Sequence, residues 1–127
     1  MAEYPEDLGY TKDHEWVKIG NDTVVRVGVT TYAVESLGEI SYISLPELET
    51  KVEVGDSVAE IETTKAVADV FSPVSGVICN VNNELDGSPH LVNEDPYGNG
   101  WIFEVQLADT SQLDNLLDSD TYASQLD

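Results

Sequence analysis

The sequence predicts a small, mainly β protein of the sandwich or barrel class, and three observations support this prediction. Short segments rich in Val, Ile, Thr and Tyr recur along the chain, and several alternate between apolar and polar residues. Clusters of turn-forming residues, among them VGD, SPVSG, ELDGSP and EDPYGNG, separate these segments at fairly even intervals. The chain has 127 residues, enough for one hydrophobic core and hardly for two. We therefore expect a single domain over residues 1–127, with its core at about 10–107.

Seven strands and a short helix make up this predicted core. The strands are expected at residues 23–29, 39–45, 52–54, 57–63, 66–71, 76–81 and 101–107. The helix is expected near residues 31–37, where TTYAVESLG begins on threonine and spaces Ala33 and Leu37 four residues apart. Gly38 then provides a C-terminal stop, because glycine readily adopts the left-handed conformation that ends many helices.

The tail, at about residues 110–127, predicts a C-terminal helix. Ser111 and Asp114 have the spacing of a capping box. Three leucines lie at helical spacing in the same segment, at positions 113, 116 and 117. We expect a short amphipathic helix that packs on the sheet, with the last few residues loosely held.

The balance of charge excludes one class of partner. The chain carries 25 acidic and five basic residues, and its formal net charge is −20. So few basic residues cannot neutralise a phosphate backbone, so we expect no binding to nucleic acid. An acidic surface repels other copies of itself and attracts basic patches on other proteins, so we expect a monomer with basic partners. Adaptation to high salt is an alternative explanation of the same composition.

Other site classes and locations find little support in the sequence. No apolar run approaches the length of a membrane span, and MAEYPEDLGY lacks the basic and apolar regions of a signal peptide. We therefore expect a cytoplasmic protein, or a mature chain inside an organelle, that does not bind membranes. Cys79 is the single cysteine, and its apolar neighbours in GVICNV predict a buried strand position. No ligand set accompanies His14 or His90, so no metal site is expected.

The segment IETTKAVADV, residues 61–70, predicts a hairpin with a lysine at its tip. If Thr64 and Lys65 form a two-residue turn, antiparallel pairing places residues 59, 61, 63, 66, 68 and 70 on one small or apolar face. The other face collects Glu60, Glu62, Val67 and Asp69. Lys65 then extends into solvent, where an enzyme can reach it. An exposed lysine is ordinarily only a solvated charge, so the surrounding sequence must decide its role.

The hairpin resembles that of biotinyl- and lipoyl-carrier domains, in which a lysine at the turn is acylated by a cofactor. Biotin acceptors usually flank this lysine with methionines, whereas Thr64 and Ala66 flank it here, which favours lipoate. Four segments in order are similar to the glycine cleavage H-protein family: HEWV, VGVTTYAVESLGEI, ETTKAVADVFSPVSG and VNNELDGSPHLVNEDPYGNGW. The likeness runs from about Tyr10 to Leu107. One such motif is weak evidence, but four in the right order are strong.

The resemblance implies a fold, a cofactor and a role. The fold is a barrel-sandwich hybrid, and the cofactor is lipoate, attached to Lys65 as N6-lipoyl-lysine by a lipoate ligase or a lipoyl/octanoyl transferase. The implied role is that of a non-catalytic shuttle. It takes the aminomethyl group of glycine from a glycine decarboxylase (P protein) to a tetrahydrofolate-dependent aminomethyltransferase (T protein), and a dihydrolipoamide dehydrogenase (L protein) reoxidises it. Glu15 and Asp69 are the acids expected to hold the amine of the loaded arm.

The sequence departs from the family pattern at two positions. Thr63 stands where serine is usual and keeps the hydroxyl group. Glu104 stands where many members have a basic residue, which makes the expected docking surface still more acidic.

The alternatives to the shuttle are a relay that donates lipoate to 2-oxoacid dehydrogenase subunits, an H-like carrier in another modification circuit, an unmodified interaction module and an enzyme. Against an enzyme, the sequence shows no nucleophile–base pair, metal cluster or phosphate-binding glycine loop.

Overall fold

Two antiparallel sheets form most of the structure, a computed structural model that describes residues 4–20 and 23–126. The strands in these ranges are β1 (Gly9–Tyr10), β2 (Glu15–Ile19), β3 (Val24–Val29), β4 (Ile40–Ser44), β5 (Lys51–Val52), β6 (Ser57–Thr63), β7 (Val67–Phe71), β8 (Gly76–Val81) and β9 (Phe103–Leu107). The helices are α1 (Thr31–Leu37), α2 (Glu84–Gly87), α3 (Leu91–Glu94) and α4 (Ser119–Ser124), with a 3-10 helix at Thr110–Asn115. The mainly β class is confirmed.

The larger sheet has the strand order β1-β2-β3-β9-β8-β5, and the smaller has the order β4-β6-β7. All seven predicted strands are present, and each begins and ends within two residues of its expected bounds. The sequence analysis missed β1, β2 and α3, and it assigned α2 to a turn. Of these omissions β2 matters most, because it carries one of the candidate site residues, Glu15.

Apolar side chains from both sheets pack into one core. The fully buried members include Val25, Val27, Ile43, Ile61, Ile78, Phe103 and Val105. Burying each such side chain stabilises the fold by about 1.5–3 kcal/mol. A second, mainly aromatic cluster lies around Trp16, whose indole N–H donates to the Pro96 carbonyl oxygen at 2.9 Å. The ring lies directly on Gly28, where a Cβ atom would come within 2.5 Å of it, so this strand position requires glycine.

Helix α1 forms as predicted, with both expected ends. The Thr30 hydroxyl caps its N-terminus by accepting from the Ala33 N–H at 3.3 Å. Gly38 ends it at φ 85°, in the left-handed region that favours glycine. The Asn93 side chain then accepts from the Ile40 N–H and donates to the Gly38 carbonyl oxygen, both at 2.9 Å, and so fixes the chain between α1 and β4.

The tail differs from the prediction in two respects. Its first helix is a 3-10 helix capped by Asp109, which accepts from the Ser111 N–H at 2.9 Å, so the expected capping box at Ser111 is wrong. A carboxylate two residues before Ser111 reaches the free N–H first. The α-helix comes later, as α4, and begins after Asp118, which caps the Thr121 N–H at 2.7 Å.

The described part of the tail, up to Leu126, packs on the rest of the protein, while the prediction that the last few residues are loosely held extends to residue 127, outside the described ranges. Leu117 bridges to Tyr10 through two backbone hydrogen bonds of 2.8 Å. Tyr122 on α4 is only 1% exposed and packs in the aromatic cluster. A buried ring of this size holds the last helix against β1. The single domain over residues 1–127 stays a prediction, since residues 1–3, 21–22 and 127 lie outside the described ranges.

Cys79 is exposed, contrary to the expected buried position. The register between β8 and β9 shifts between Ile78 and Asn80, which leaves Cys79 as the extra residue of a β-bulge. Ile78 takes the core-facing position, and the bulge breaks the alternation that the prediction assumed. Within the described ranges, no helix is long and apolar enough to cross a membrane.

Candidate functional site

The β6–β7 hairpin presents Lys65 at its tip, in the register that the sequence predicts. The register pairs Ala59 with Val70, Glu60 with Asp69, Ile61 with Ala68 and Glu62 with Val67. The Thr63 N–H donates to the Ala66 carbonyl oxygen at 2.9 Å, which closes the turn at Thr64 and Lys65. Lys65 is exposed, and no described carboxylate lies within ion-pair distance of its ammonium group.

The hydroxyl group of Thr63 holds this turn together. It accepts hydrogen bonds from the backbone N–H groups of Lys65 at 3.2 Å and Ala66 at 3.0 Å. Threonine and serine commonly satisfy turn backbones in this way. The bonds explain how a Thr-Lys turn forms without the Asn-Gly pair that tight hairpins favour. The hydroxyl that Thr63 shares with the usual serine is therefore the part of the side chain that the turn uses.

The inner face of the hairpin is buried at its base and open towards its tip. Ala59, Ile61 and Val70 are at most 4% exposed and pack in the core. Closer to the turn, Ala68 is half-buried and Ala66 is exposed. The hairpin therefore extends beyond the core, so a group attached at its tip can reach both solvent and the flank of the protein.

Glu15 is a buried carboxyl group on β2, only 2% exposed. The Thr11 hydroxyl donates to its Oε1 at 2.7 Å, and the Phe71 N–H at the end of β7 donates to its Oε2 at 3.1 Å. Burial raises the pKa of Glu15 to about 7 from its ordinary value of 4.5, against the smaller lowering effect of these two hydrogen bonds. Glu15 thus changes its charge close to neutral pH.

Asp69 lies on the hairpin four residues after Lys65 and is exposed. It accepts a hydrogen bond of 3.0 Å from the Ser57 hydroxyl group across the two strands. Together with Glu15, it lines a cavity of about 240 Å³ between β2, helix α1 and the hairpin. The rest of the lining is Asp13, His14, Val29, Tyr32, Ala33, Ser36, Leu37, Ile61, Ala68 and Val70. The structure therefore brings both predicted acids to one mostly apolar cavity, which we call the Glu15–Asp69 cavity.

Lys65 does not line this cavity. Asp69 lies four positions further along the chain, a span of about 13 Å when the chain is fully extended. The lysine side chain alone does not bridge this span, whereas a long acyl chain on its amine does. A larger cavity, of about 710 Å³, lies beside the tail and the base of β7; Glu15 lines it too, but the hairpin tip and Asp69 do not.

Comparison with known proteins decides the family. The family model for the glycine cleavage H-protein matches residues 8–127. The chain belongs to the glycine cleavage H-protein family. Glycine cleavage system H proteins of Micrococcus luteus and Mycobacterium avium are 49% and 45% identical to it, over 98% and 99% of this chain and 98% of each relative. The crystal structure of a glycine cleavage system H protein from Mycobacterium marinum superimposes with a TM-score of 0.85 at 41% identity, covering 96% of this chain and 98% of that one.

Membership in the H-protein family confirms the predicted fold and role. The chain is a non-catalytic carrier subunit of the glycine cleavage system with a barrel-sandwich fold. H proteins as a family carry lipoate and work with the P, T and L proteins. The alternative of a lipoate relay to 2-oxoacid dehydrogenases is not favoured by these relatives.

Glu104 has a structural role that sequence reasoning missed. It pairs with Arg26 across β3 and β9, with 2.9 Å between Arg26 Nε and its Oε2 atom. The Arg26 guanidinium also lies 4.3 Å from the ring centre of Trp101. Because this charge is compensated within the sheet, Glu104 adds less to the acidic surface than the sequence suggests.

The structure also reveals residues around the cavity that no sequence pattern indicated. Thr11 holds the Glu15 carboxyl group, and Tyr122 of the distant tail lies 2.7 Å from a ring nitrogen of His14. Neither contact could be predicted from the sequence. The contact between His14 and Tyr122 spans 108 positions of the chain, and the contact between Thr11 and Glu15 depends on strand β2, which was not predicted. Within the described part of the chain, no group of three or more His, Cys, Asp or Glu residues could hold a metal ion.

Proposed function

We propose that the chain carries lipoate as an amide on Lys65 and shuttles the aminomethyl group of glycine on it. The observation that carries this proposal is the exposed lysine at the tip of a hairpin whose turn is held by Thr63. An attaching enzyme can approach the amine from solvent without unfolding the carrier. The amide removes one positive charge, which changes the formal net charge from −20 to −21.

The residues near the hairpin suit a tethered group. When bound, lipoate supplies a redox-active disulfide at the end of a long tether. The tether keeps this group close to the carrier and makes its encounters with each partner's active site effectively intramolecular. The apolar lining of the Glu15–Asp69 cavity can bury the hydrocarbon part of the arm, and the span of about 13 Å from tip to cavity suits its length.

Glu15 and Asp69 hold the amine of the loaded arm in this proposal. An aminomethyl cargo ends in a primary amine, which is cationic at neutral pH, and both acids line the cavity beside the hairpin. A nearby cation favours the ionised form of Glu15, whose buried carboxyl group otherwise titrates at about pH 7. The apolar walls exclude water and so protect the adduct from hydrolysis.

Docking to the partner enzymes is weak and salt-sensitive in this proposal. The net charge of −20 attracts basic rims on the P, T and L proteins and on the lipoate ligase or lipoyl/octanoyl transferase that modifies Lys65. Self-repulsion of the same charge favours a monomer. The cytoplasmic location and the monomeric state stay predictions, which cell fractionation and sedimentation would check.

Intact mass spectrometry tests the attachment. After expression in cells that make lipoate, we expect one lipoyl-sized mass increment, mapped to Lys65 by peptide sequencing. Lys65→Arg should abolish it, while Lys51→Arg, a matched change of another exposed lysine, should leave it intact. An unmodified wild-type chain, or an increment that survives Lys65→Arg, would refute the proposal.

The lifetime of the aminomethylated protein tests the acids. We expect Glu15→Gln and Asp69→Asn each to shorten this lifetime, because each removes a carboxylate from the cavity. Glu60→Gln serves as the control, since Glu60 pairs with Asp69 across the hairpin but does not line the cavity. If the lifetime is the same in all four proteins, neither acid holds the cargo. Support for glycine–bicarbonate exchange with a glycine decarboxylase separates the shuttle from a lipoate relay.

A further inference from the structure

Tyr122 joins the C-terminal helix to the wall of the Glu15–Asp69 cavity. Its hydroxyl group lies 2.7 Å from His14 Nδ1 and 2.8 Å from Thr30 Oγ1. Its ring stacks on Tyr10, with ring centres 4.9 Å apart and planes inclined by 11°. His14 itself lines the cavity beside Glu15. One buried hydroxyl group in the tail thus contacts a side chain of the candidate site.

The hydrogen bonds around Tyr122 have one order that satisfies the hydroxyl donors of both Thr30 and Tyr122. Thr30 is fully buried, and its Oγ1 already accepts from the Ala33 N–H as the cap of α1. Among the described residues, the Tyr122 oxygen is the only acceptor within reach of the Thr30 hydroxyl hydrogen. Thr30 therefore donates to Tyr122, and Tyr122 donates its own hydrogen to Nδ1 of His14. The His14 ring is then neutral and carries its hydrogen on Nε2.

The reverse order leaves a buried donor without a partner. If His14 carried a hydrogen on Nδ1, it would donate to Tyr122, and Tyr122 would donate to Thr30. The Thr30 hydroxyl hydrogen would then have no described acceptor, and an unsatisfied buried donor is costly. Protonated His14 has a hydrogen on Nδ1 and so requires this unfavourable order.

His14 is also fixed on its other sides. Its backbone has φ 71°, an uncommon conformation for a residue other than glycine. Its carbonyl oxygen accepts from the Thr30 N–H at 3.0 Å, and its ring centre lies 4.6 Å from that of Tyr32. The ring orientation, and with it the atom that meets Tyr122, is therefore set by contacts on three sides.

We propose that Tyr122 is a positioning residue of the Glu15–Asp69 cavity: its hydroxyl group orients the His14 ring and keeps it neutral. A cationic His14 would pair with the cavity acids and compete with the cationic amine of the cargo. A neutral ring leaves both acids free to bind that amine. The inference rests on the proposed function, because the amine belongs to the proposed cargo.

The other charged groups around His14 are acids, which favour a protonated ring, and burial opposes them. Asp13 is its neighbour in the chain, Glu15 and Asp69 lie along the same cavity, and Tyr32 and Tyr122 pack on the ring. Burial lowers the pKa of His14, and this outweighs the opposite effect of the Asp13 charge.

Nuclear magnetic resonance of the imidazole nitrogens tests the proposal on the unmodified protein. The chain has two histidines, and the exposed His90 serves as the internal reference. We expect wild-type His14 to carry its hydrogen on Nε2 and to have a pKa below the ordinary value for histidine. Tyr122→Phe should strengthen proton binding by His14 about three- to tenfold, which raises its pKa by about 0.5–1.

Tyr10→Phe is the matched control, because it removes a buried hydroxyl group of the same cluster that donates to the Pro5 carbonyl oxygen at 2.7 Å. This control should leave the pKa of His14 unchanged. A hydrogen on Nδ1 in the wild-type protein, or equal pKa changes in the two variants, would overturn the proposal. The wild-type spectrum decides the first point even if a variant fails to fold.

The effect on the cargo is tested with the aminomethylated protein. We expect Tyr122→Phe to shorten its lifetime severalfold at a pH between the two His14 pKa values that the spectra give for the variant and wild-type proteins, and to leave it near the wild-type value at pH 8. Equal lifetimes of the two proteins at that lower pH would overturn the link to the cargo. If Lys65 proved to carry no lipoate, the proposed function would fail, while the nitrogen spectra would still report on Tyr122 and His14.

Discussion

The buried carboxyl group of Glu15 predicts a contribution to stability that is lost as the pH rises. Its pKa is about 7 in the folded protein against an ordinary value of 4.5, so the folded state binds this proton more tightly than the unfolded state. The contribution is therefore fully present below about pH 4.5 and disappears as the pH rises through about 7. The difference of about 2.5 pH units corresponds to about 3 kcal/mol of the free energy of unfolding.

Urea unfolding of the wild-type protein and Glu15→Gln at pH 5 and pH 8 measures this contribution. Rising pH also strengthens repulsion within a chain of net charge −20, so the two proteins must be compared at each pH. Glutamine stays neutral and keeps one carbonyl oxygen as acceptor for the Phe71 N–H. We expect the wild-type protein to lose up to about 3 kcal/mol more than the variant between the two pH values.

Asp69→Asn provides the control for a change of one charge at an exposed position. Its pH dependence should follow that of the wild-type protein closely. If Glu15→Gln and the wild-type protein lose the same free energy of unfolding between pH 5 and pH 8, the carboxyl group is not held neutral by burial and the reasoning is refuted.

Two further predictions concern the turn and the aromatic cluster. Thr63→Ala removes the hydroxyl acceptor of the Ala66 N–H and should speed exchange of that amide hydrogen about fivefold. Thr63→Ser keeps the hydroxyl group and should keep the exchange slow. Equal exchange rates in the two variants would contradict the role assigned to the hydroxyl group. Gly28→Ala places a Cβ atom 2.5 Å from the Trp16 ring and should lower the free energy of unfolding by about 2–3 kcal/mol. Gly87→Ala, with no atom within 4 Å of the new Cβ, should leave that energy within about 0.5 kcal/mol; equal losses in the two glycine variants would contradict the packing argument.

The hairpin could be predicted from the sequence because local rules decide it. Pairing about Thr64 and Lys65 places small or apolar residues on one face and acids on the other, and a shift by one residue would expose the apolar set. The observed register is the predicted one. Helix α1 was predictable for a similar reason, since its cap at Thr30 and its stop at Gly38 are local.

Strand β2 and the packing of the tail near it could not be predicted, because each depends on the other. Glu15, Trp16 and Val17 are buried in succession, which breaks the alternation of a strand with one solvent face. The tail accounts for this pattern: its residue Tyr122 packs in the same cluster as Trp16 and covers the second face of the strand. A contact across about one hundred positions leaves no local signature. The same contact determines the surroundings of His14, so the candidate site was incomplete in the sequence alone.

The charge of the cavity walls explains how one site can be stable when empty and still bind a cationic group. An isolated buried carboxylate is costly, and with a pKa of about 7 Glu15 is protonated in about half of the molecules at pH 7 before a positive charge arrives. Neutral His14 supplies no such charge, so the cargo amine is the expected partner. We therefore expect the pKa of Glu15, followed by the ¹³C shift of its carboxyl carbon, to fall below 7 when the protein is aminomethylated. An unchanged pKa of Glu15 in the loaded protein would show that the amine binds elsewhere.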